Sequence, residues 1–280
     1  MTDDATADLY AVTGFPISHS YSPIIHAQFA EQTGQSIRYE RIESPPEEFA
    51  PRVREFFASG GLGLNVTRPH KRAAAALADD TTPRARVAGA VNTLTALGGG
   101  RLQGDNTDGA GLVTDLLRNL DARIAGRRVL LLGAGGAARG IAAPLLGQRP
   151  AELIIANRDT DKAVQMAADF AEEGVARGSG YDDLGEESFD IIINATAPGA
   201  GGEESPLPAQ AVRAGTLCYD LAYGQKATPF TRWARNRGAK QVYKGWGMLV
   251  EQAAESFFIW RGVRPDTRPV LEKLAAWNRG

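Results

Sequence analysis

Three polar segments near the start of the chain carry residues suited to chemistry. The first, Gly14-Phe-Pro-Ile-Ser-His-Ser20-Tyr-Ser22-Pro23, follows a strand pattern and precedes a helix pattern. Ser22 before Pro23 suits a helix N-cap. Ser20 and Ser22 beside that helix start equally suit a bound carboxylate or hydroxyl. The second, Gly63-Leu-Asn65-Val-Thr67-Arg-Pro69-His-Lys71, ends a strand in a polar turn. It puts Lys71 in the first turn of a helix, where a cation opposes the dipole and stability alone would favour Asp or Glu. The third joins Gly89-Ala-Val-Asn92-Thr to Gly104-Asp-Asn-Thr-Asp108-Gly109. Asp108 falls at an expected hinge between domains, where an active site would lie.

In the middle of the chain, Val129-Leu-Leu-Leu-Gly133-Ala-Gly135-Gly136-Ala-Ala138 reads as a strand, a glycine loop and a helix. This is the G-x-G-x-x-A form of the dinucleotide fingerprint. Gly133 allows the tight turn, Gly135 lets backbone approach a pyrophosphate, and Ala138 permits close helix–strand packing. In the NAD form an acidic residue ends the next strand and binds the ribose 2′-hydroxyl. Here Asn157-Arg158 stands there, about 24 positions after Gly133. A guanidinium makes bidentate contacts with a 2′-phosphate that a carboxylate would repel, and Lys162 adds charge one turn on. NADP is favoured over NAD, although Asp159 sets a negative charge beside the same site. Asn194-Ala-Thr196 ends a further strand and faces the nicotinamide half in this reading. An ordinary strand-ending turn explains it equally well.

Strands that position these residues are expected at Leu9–Val12, Ile37–Ile42, Leu62–Val66, Val129–Leu132, Leu153–Ala156, Ile191–Ile193 and Leu217–Tyr219. Helices are expected at Pro23–Thr33, Pro46–Ser59, Pro69–Ala78, Gly111–Leu120, Gly136–Leu146, Asp161–Glu173, Pro229–Asn236, Met248–Arg261 and Thr267–Asn278. The alternation predicts an α/β fold with parallel sheets covered on both faces. Residues 1–107, completed by 245–280, form the expected substrate domain. Residues 108–244 form an inserted Rossmann-type domain, with Gly245-Trp-Gly247 as the second hinge. A loop is expected over Ala197–Pro208 beside the nucleotide site.

Bulk composition narrows the class. The 280 residues are 43% hydrophobic and 23% charged, with a net charge of −2. No broad basic field serves nucleic acid or an anionic membrane. No apolar run approaches the roughly 20 residues that span a bilayer. The acidic N-terminal segment lacks the regions of a signal peptide, and the single cysteine, Cys218, lies in a buried-strand pattern. A cytoplasmic location is expected. His19, His26 and His70 follow no familiar ligand spacing, so no metal is expected and His26 reads as a core residue.

Together these segments resemble the shikimate dehydrogenase family. The resemblance rests on Pro-Ile-Ser-His-Ser-Tyr-Ser-Pro, Asn-Val-Thr-Arg-Pro-His-Lys, Gly-Ala-Val-Asn-Thr, Gly-Asp-Asn-Thr-Asp-Gly and Gly-Ala-Gly-Gly-Ala. It extends through Asn-Arg, Asn-Ala-Thr, Tyr223-Gly-Gln-Lys-Ala-Thr-Pro-Phe and Gly247-Met-Leu-Val-Glu-Gln252, in order along nearly the whole chain. It implies NADPH-dependent, reversible reduction of 3-dehydroshikimate to shikimate, a step in aromatic amino acid biosynthesis. By the same resemblance, Ser20, Ser22 and Tyr223 bind the substrate carboxylate. Asn65, Thr67, Asn92 and Gln252 bind hydroxyls or shape the pocket, and Lys71 with Asp108 form the catalytic pair. Gly133, Ala134, Gly135, Gly136, Ala137, Asn157, Arg158, Lys162, Thr196, Leu221, Gly245 and Met248 hold NADP. The partner implied is the small-molecule substrate; a homodimer is a separate expectation, since the sequence does not give the oligomeric state.

Those roles are physically sensible. Hydride delivery to a ketone generates an alkoxide that needs a cation and a proton, and a lysine ammonium supplies both. A neighbouring carboxylate holds that ammonium in its charged form. In the oxidative direction the lysine must act as a base, so oxidation is expected to speed up at alkaline pH. Departures from the family pattern are Asp159 for threonine, Trp246 for leucine, Ala197 for serine and Pro83 for an acidic residue. Two rivals remain: a quinate/shikimate dehydrogenase accepting NAD, suggested by Asp159, and a non-catalytic metabolite sensor, which is expected to lack the Lys71–Asp108 pair.

Overall fold

The computed structural model describes residues 7–196 and 207–277. The loop expected over Ala197–Pro208 and the departure at Ala197 lie almost wholly outside the described residues. The chain divides into two units. One ends at Gly111 and resumes over Val250–Ala275; the other runs from Leu112 to Leu249.

The first unit opens with β1 (Asp8–Gly14), α1 (Ser22–Thr33), β2 (Ile37–Glu43), α2 (Phe49–Ala58), β3 (Gly61–Val66) and α3 (Lys71–Leu77). β4 (Asp80–Thr81), α4 (Pro83–Ala88), β5 (Thr93–Gly98), β6 (Arg101–Asp105) and the start of α5 (Asp108–Thr114) follow. Its sheet runs β2-β1-β3-β5-β6-β4. Here the structure corrects the expectation of parallel sheets throughout: β3–β5 and β5–β6 are antiparallel. The cause is local. Gly98, Gly99 and Gly100 all take positive φ, so a tight hairpin joins β5 to β6, two strands that are absent from the expected elements. One face of the sheet packs Leu64, Val66, Leu94 and Leu102 against Phe49, Val53 and Phe56 of α2. Each such side chain stabilises the fold by about 1.5–3 kcal/mol when fully buried.

The second unit contains β7 (Arg128–Leu132), α6 (Gly136–Leu146), β8 (Glu152–Ala156), α7 (Thr160–Asp169) and β9 (Ala176–Ser179). β10 (Ile191–Asn194), β11 (Leu217–Asp220), α8 (Pro229–Asn236) and β12 (Gln241–Lys244) complete its sheet. α9 (Trp246–Arg261) and α10 (Arg268–Trp277) end the described chain. All five strand pairings in this sheet are parallel. The order is β12-β11-β10-β7-β8-β9. Read from β9, that is 3-2-1-4-5-6, the doubly wound arrangement whose direction reverses between β7 and β10. Its central strands are continuous apolar runs because helices cover both faces; Leu130, Leu131, Ile154, Ile155, Ile192 and Ile193 are fully buried.

Several elements depart from their expected limits. The helix placed over Pro69–Ala78 begins only at Lys71, after a turn. The helix placed over Gly111–Leu120 begins at Asp108 and continues as a π-helical turn, Asp115–Asn119. The N-cap of α1 is Tyr21, and Ser22 is its first helical residue. Ser20 takes the capping part, its hydroxyl accepting from the Ser22 amide at 3.3 Å.

Candidate active site

Strand ends and helix starts of the first unit bring most of the expected substrate residues into one hydrogen-bonded network. Lys71 opens α3, and its ammonium pairs with the Asp108 carboxylate at the start of α5. The two side chains are 15% and 5% exposed, so solvent screens the pair little. Asp108 also has a structural part, since a carboxylate in the first turn complements the helix dipole. Its other oxygen accepts from Asn92 Nδ2 at 2.9 Å. That amide also donates to Thr107 Oγ1 at 2.8 Å and to Gln252 Oε1 at 3.2 Å. Asn92 Oδ1 in turn receives the Thr107 backbone amide at 2.8 Å.

Around this pair the Gly-Asp-Asn-Thr-Asp segment divides its labour. Asp105 receives both arms of the Arg84 guanidinium, at 2.6 and 2.8 Å, and the Thr82 hydroxyl at 2.6 Å. Burial pushes its carboxyl up, but the Arg84 and Thr82 hydrogen bonds prevail and hold it below the usual range. Asp105 is therefore an anchor, and Asp108 the carboxylate offered to the site. Asn106 closes the turn, its Oδ1 accepting the Asp108 amide at 3.1 Å.

Asn65, at the end of β3, is the second centre of the network. Its Nδ2 donates to Ser256 Oγ at 3.0 Å and to Thr93 Oγ1 and the Asn92 carbonyl, both at 3.3 Å. Its Oδ1 accepts from the Tyr39 hydroxyl at 2.7 Å. Ser20 and Ser22 lie side by side with their hydroxyls 3.2 Å apart. The Ser20 carbonyl is clamped by Arg41 Nε and Nη2 at 3.1 and 2.6 Å. Thr67 lies in the turn before α3, its amide bonded to the Thr13 carbonyl. Tyr223 belongs to the other unit, on the chain after β11, with its ring centre 5.5 Å from that of Trp246.

Tyr39 and Ser256 were not singled out from sequence, and Thr93 and Thr107, although inside the third polar segment, were given no role. Ser256 follows Gln252 by one helical turn, and that spacing on one face of α9 was a readable signal. The histidines have separate fates. His70 stacks on Phe49 at 4.4 Å and bonds the Ser44 carbonyl at 2.7 Å, fixing the turn that presents Lys71. His26 is fully buried with neither ring nitrogen hydrogen-bonded, and burial drives it down to about 3.

In the second unit, every expected cofactor residue lies at or just beyond the carboxyl end of a parallel strand, where doubly wound sheets bind ligands. Gly133, Ala134, Gly135, Gly136 and Ala137 follow β7, and Asn157, Arg158 and Lys162 follow β8. Thr196 follows β10, Leu221 follows β11, and Gly245 and Met248 follow β12. Gly133 has φ +102°, and a Cβ there would lie 3.3 Å from the Ala195 carbonyl of the neighbouring β10 turn. Gly135 precedes α6 with no side-chain cap, and a Cβ there would enter open space. The first amides of an eleven-residue helix thus face an open approach, the arrangement that receives a pyrophosphate. Gly245 permits a close crossing, since a Cβ would sit 2.3 Å from the Leu221 carbonyl. Thr196 Oγ1 donates to Asn194 Oδ1 at 2.6 Å, and Asn194 Nδ2 to the buried Asp220 at 3.1 Å.

Arg158 is exposed and has no ion pair among the described residues. Lys162 differs: its ammonium lies 2.7 Å from Asp159. Asp159 also caps α7, accepting the Lys162 amide. Asn157 folds onto the same turn, donating to the Asp159 carbonyl at 3.0 Å. Asp159 therefore has a structural reason to be acidic that is independent of any ribose. With the open helix start and an unpaired guanidinium beyond β8, these residues fit a phosphorylated dinucleotide.

Fold and site together define a two-unit α/β oxidoreductase that takes a pyridine dinucleotide. Residues 12–94 match the family described as the shikimate dehydrogenase substrate binding domain, 115–201 shikimate / quinate 5-dehydrogenase, and 245–275 the shikimate 5′-dehydrogenase C-terminal domain. A shikimate dehydrogenase (NADP(+)) of Alkalilimnicola ehrlichii is 55% identical, covering 95% of this chain and 98% of that protein. The Ael1 enzyme of Pseudomonas putida is 45% identical with a TM-score of 0.88, covering 96% of this chain and 98% of that one. The shikimate 5-dehydrogenase of Thermus thermophilus, crystallised with NADP(H) and shikimate, is 34% identical with a TM-score of 0.82, covering 95% and 97%. The chain belongs to the shikimate dehydrogenase family.

Proposed function

We propose that the chain interconverts 3-dehydroshikimate and shikimate with NADP, residues 1–107 and 245–280 serving the substrate and 108–244 the dinucleotide. Gly133–Ala137 and the start of α6 would hold the pyrophosphate, and Arg158 the 2′-phosphate. Thr196, Leu221, Gly245 and Met248 would border the nicotinamide half. NADPH, when bound, supplies the hydride. The work of the chain's own residues is to hold the substrate and move one proton. Ser20, Ser22 and Tyr223 bind the carboxylate, while Asn65, Thr67, Asn92 and Gln252 bind or flank the hydroxyls. The Lys71 ammonium stabilises the oxygen of the reacting carbonyl as it becomes an alkoxide and gives it a proton. Asp108, itself held by Asn92, orients that ammonium. The neutral amine left behind regains its proton from solvent.

The observation that carries this reading is the Lys71–Asp108–Asn92 arrangement, with Gln252 on the same amide. The finer reading places the enzyme in the cytoplasm as a homodimer. No helix among the described residues is long and apolar enough to cross a membrane, and the mass in solution decides the oligomer. Initial rates with shikimate and quinate, each with NADP+ and NAD+, test the activity. Shikimate with NADP+ is expected to give the highest kcat/KM; a higher value for quinate with NAD+ contradicts the proposal.

A further inference from the structure

β2 is an edge strand, yet Tyr39 and Arg41, two positions apart and so on one face of it, both reach inward to the expected substrate residues. Arg41 clamps the Ser20 carbonyl. The Tyr39 phenol gives its one proton to Asn65 Oδ1 at 2.7 Å. The Ser22 hydroxyl neighbours the same phenol and partly offsets the upward push of burial on its ionisation. With its only donor already engaged, the Tyr39 hydroxyl has no proton to offer a ligand. Its ring is held by stacking on His26, with centres 4.2 Å apart and planes within 10°.

Ser20 and Ser22 are hydrogen-bonded to each other beside Tyr39, and from Tyr39 a chain of hydrogen bonds runs through Asn65 to Ser256 and Thr107. It ends at Asn92 and the Lys71–Asp108 pair. Tyr39 is the link that joins the serines to its amide end. We infer that Tyr39 is a positioning residue for the substrate site, setting the distance between the serines that hold a carboxylate and the amides that hold a hydroxyl. It acts through Ser22 and Asn65 and touches no reacting atom. The inference rests on the roles given to those two residues above, and it adds a specificity element: a substrate whose carboxylate and hydroxyls are spaced differently is disfavoured.

Tyr39→Phe removes the hydroxyl and keeps the ring on His26. One hydrogen bond is worth up to a factor of about ten. The KM for shikimate is therefore expected to rise about 5- to 10-fold, with kcat within about 3-fold and the KM for NADP+ unchanged. In an Asn65→Ala background the same substitution should change KM less than about 2-fold, because coupled residues are not additive. An unchanged KM, an equal penalty in both backgrounds, or a joint fall of kcat and cofactor affinity overturns the inference. Should Tyr39→Phe fail to fold, shikimate binding by Ser22→Ala, Asn65→Ala and the double variant measures the same coupling: non-additive losses support the strut and additive ones overturn it. A native chain with no shikimate turnover removes the underlying reading, whereas a normal native rate with a normal Tyr39→Phe removes this inference alone.

Discussion

Lys71 and Asp108, 37 positions apart in sequence, meet as an ion pair, and Asn92 fixes the carboxylate oxygen that faces away from the lysine. The amide locks the carboxylate plane, so the ammonium has one favoured place. Because this lysine must lose its proton for oxidation to proceed, the rate of shikimate oxidation is expected to rise from neutral to alkaline pH. A flat pH profile of kcat contradicts Lys71 as the proton carrier.

Arg158 stands exposed at the end of β8 with no anionic partner among the described residues. If it reads the 2′-phosphate, Arg158→Ala should lower the kcat/KM ratio of NADPH to NADH by about 10- to 100-fold, the worth of charged hydrogen bonds. The NADH rate should barely move. An equal loss with both cofactors would mean that Arg158 supports the loop and not the phosphate.

Asp159 ties down Lys162 and caps α7. Asp159→Ala is therefore expected to lower the thermal midpoint and, by releasing Lys162, to tighten NADPH binding a few-fold at low ionic strength. The gain should vanish in high salt, as exposed charges are screened there. Titration of NADPH at two salt concentrations measures this. Weaker binding at both concentrations refutes the competition between Asp159 and the phosphate for Lys162.

His26 lies neutral among Tyr39, Phe29, Phe257 and Trp260. Its folded value of about 3 lies below the ordinary 6.5, so the unfolded chain binds the extra proton in acid. Stability is whole above about pH 6.5 and falls as the pH drops towards 3, by about 2 kcal/mol at pH 5. Denaturant midpoints at pH 7.5 and pH 5 should differ clearly for the native chain and much less for His26→Phe. Equal shifts in both would assign the acid sensitivity to other groups.

What was legible in the sequence follows from how locally each feature is encoded. Gly133, Gly135 and Ala138 work within one strand–turn–helix, so their spacing alone announces them. The apolar runs of β7, β8 and β10 are buried on both faces and read equally clearly. β9, as Ala-Arg-Gly-Ser, and β12, as Gln-Val-Tyr-Lys, are edge strands with little apolar pattern and leave no such trace. The β5–β6 hairpin was missed because βα alternation was carried through a stretch where three glycines turn the chain back. Tyr39 stayed hidden because its contact is with Asn65, 26 positions away, which no local period records; for Ser256, 191 positions from Asn65, the one local trace is its helical spacing from Gln252.

The most direct test is single-turnover reduction of 3-dehydroshikimate by NADPH in the native chain and in Lys71→Ala, with substrate affinity measured alongside. A proton donor of this kind contributes about 10²- to 10⁴-fold. The expected result is a loss of that size in Lys71→Ala with substrate affinity kept within a few-fold. Turnover within about 3-fold of the native rate would contradict the account.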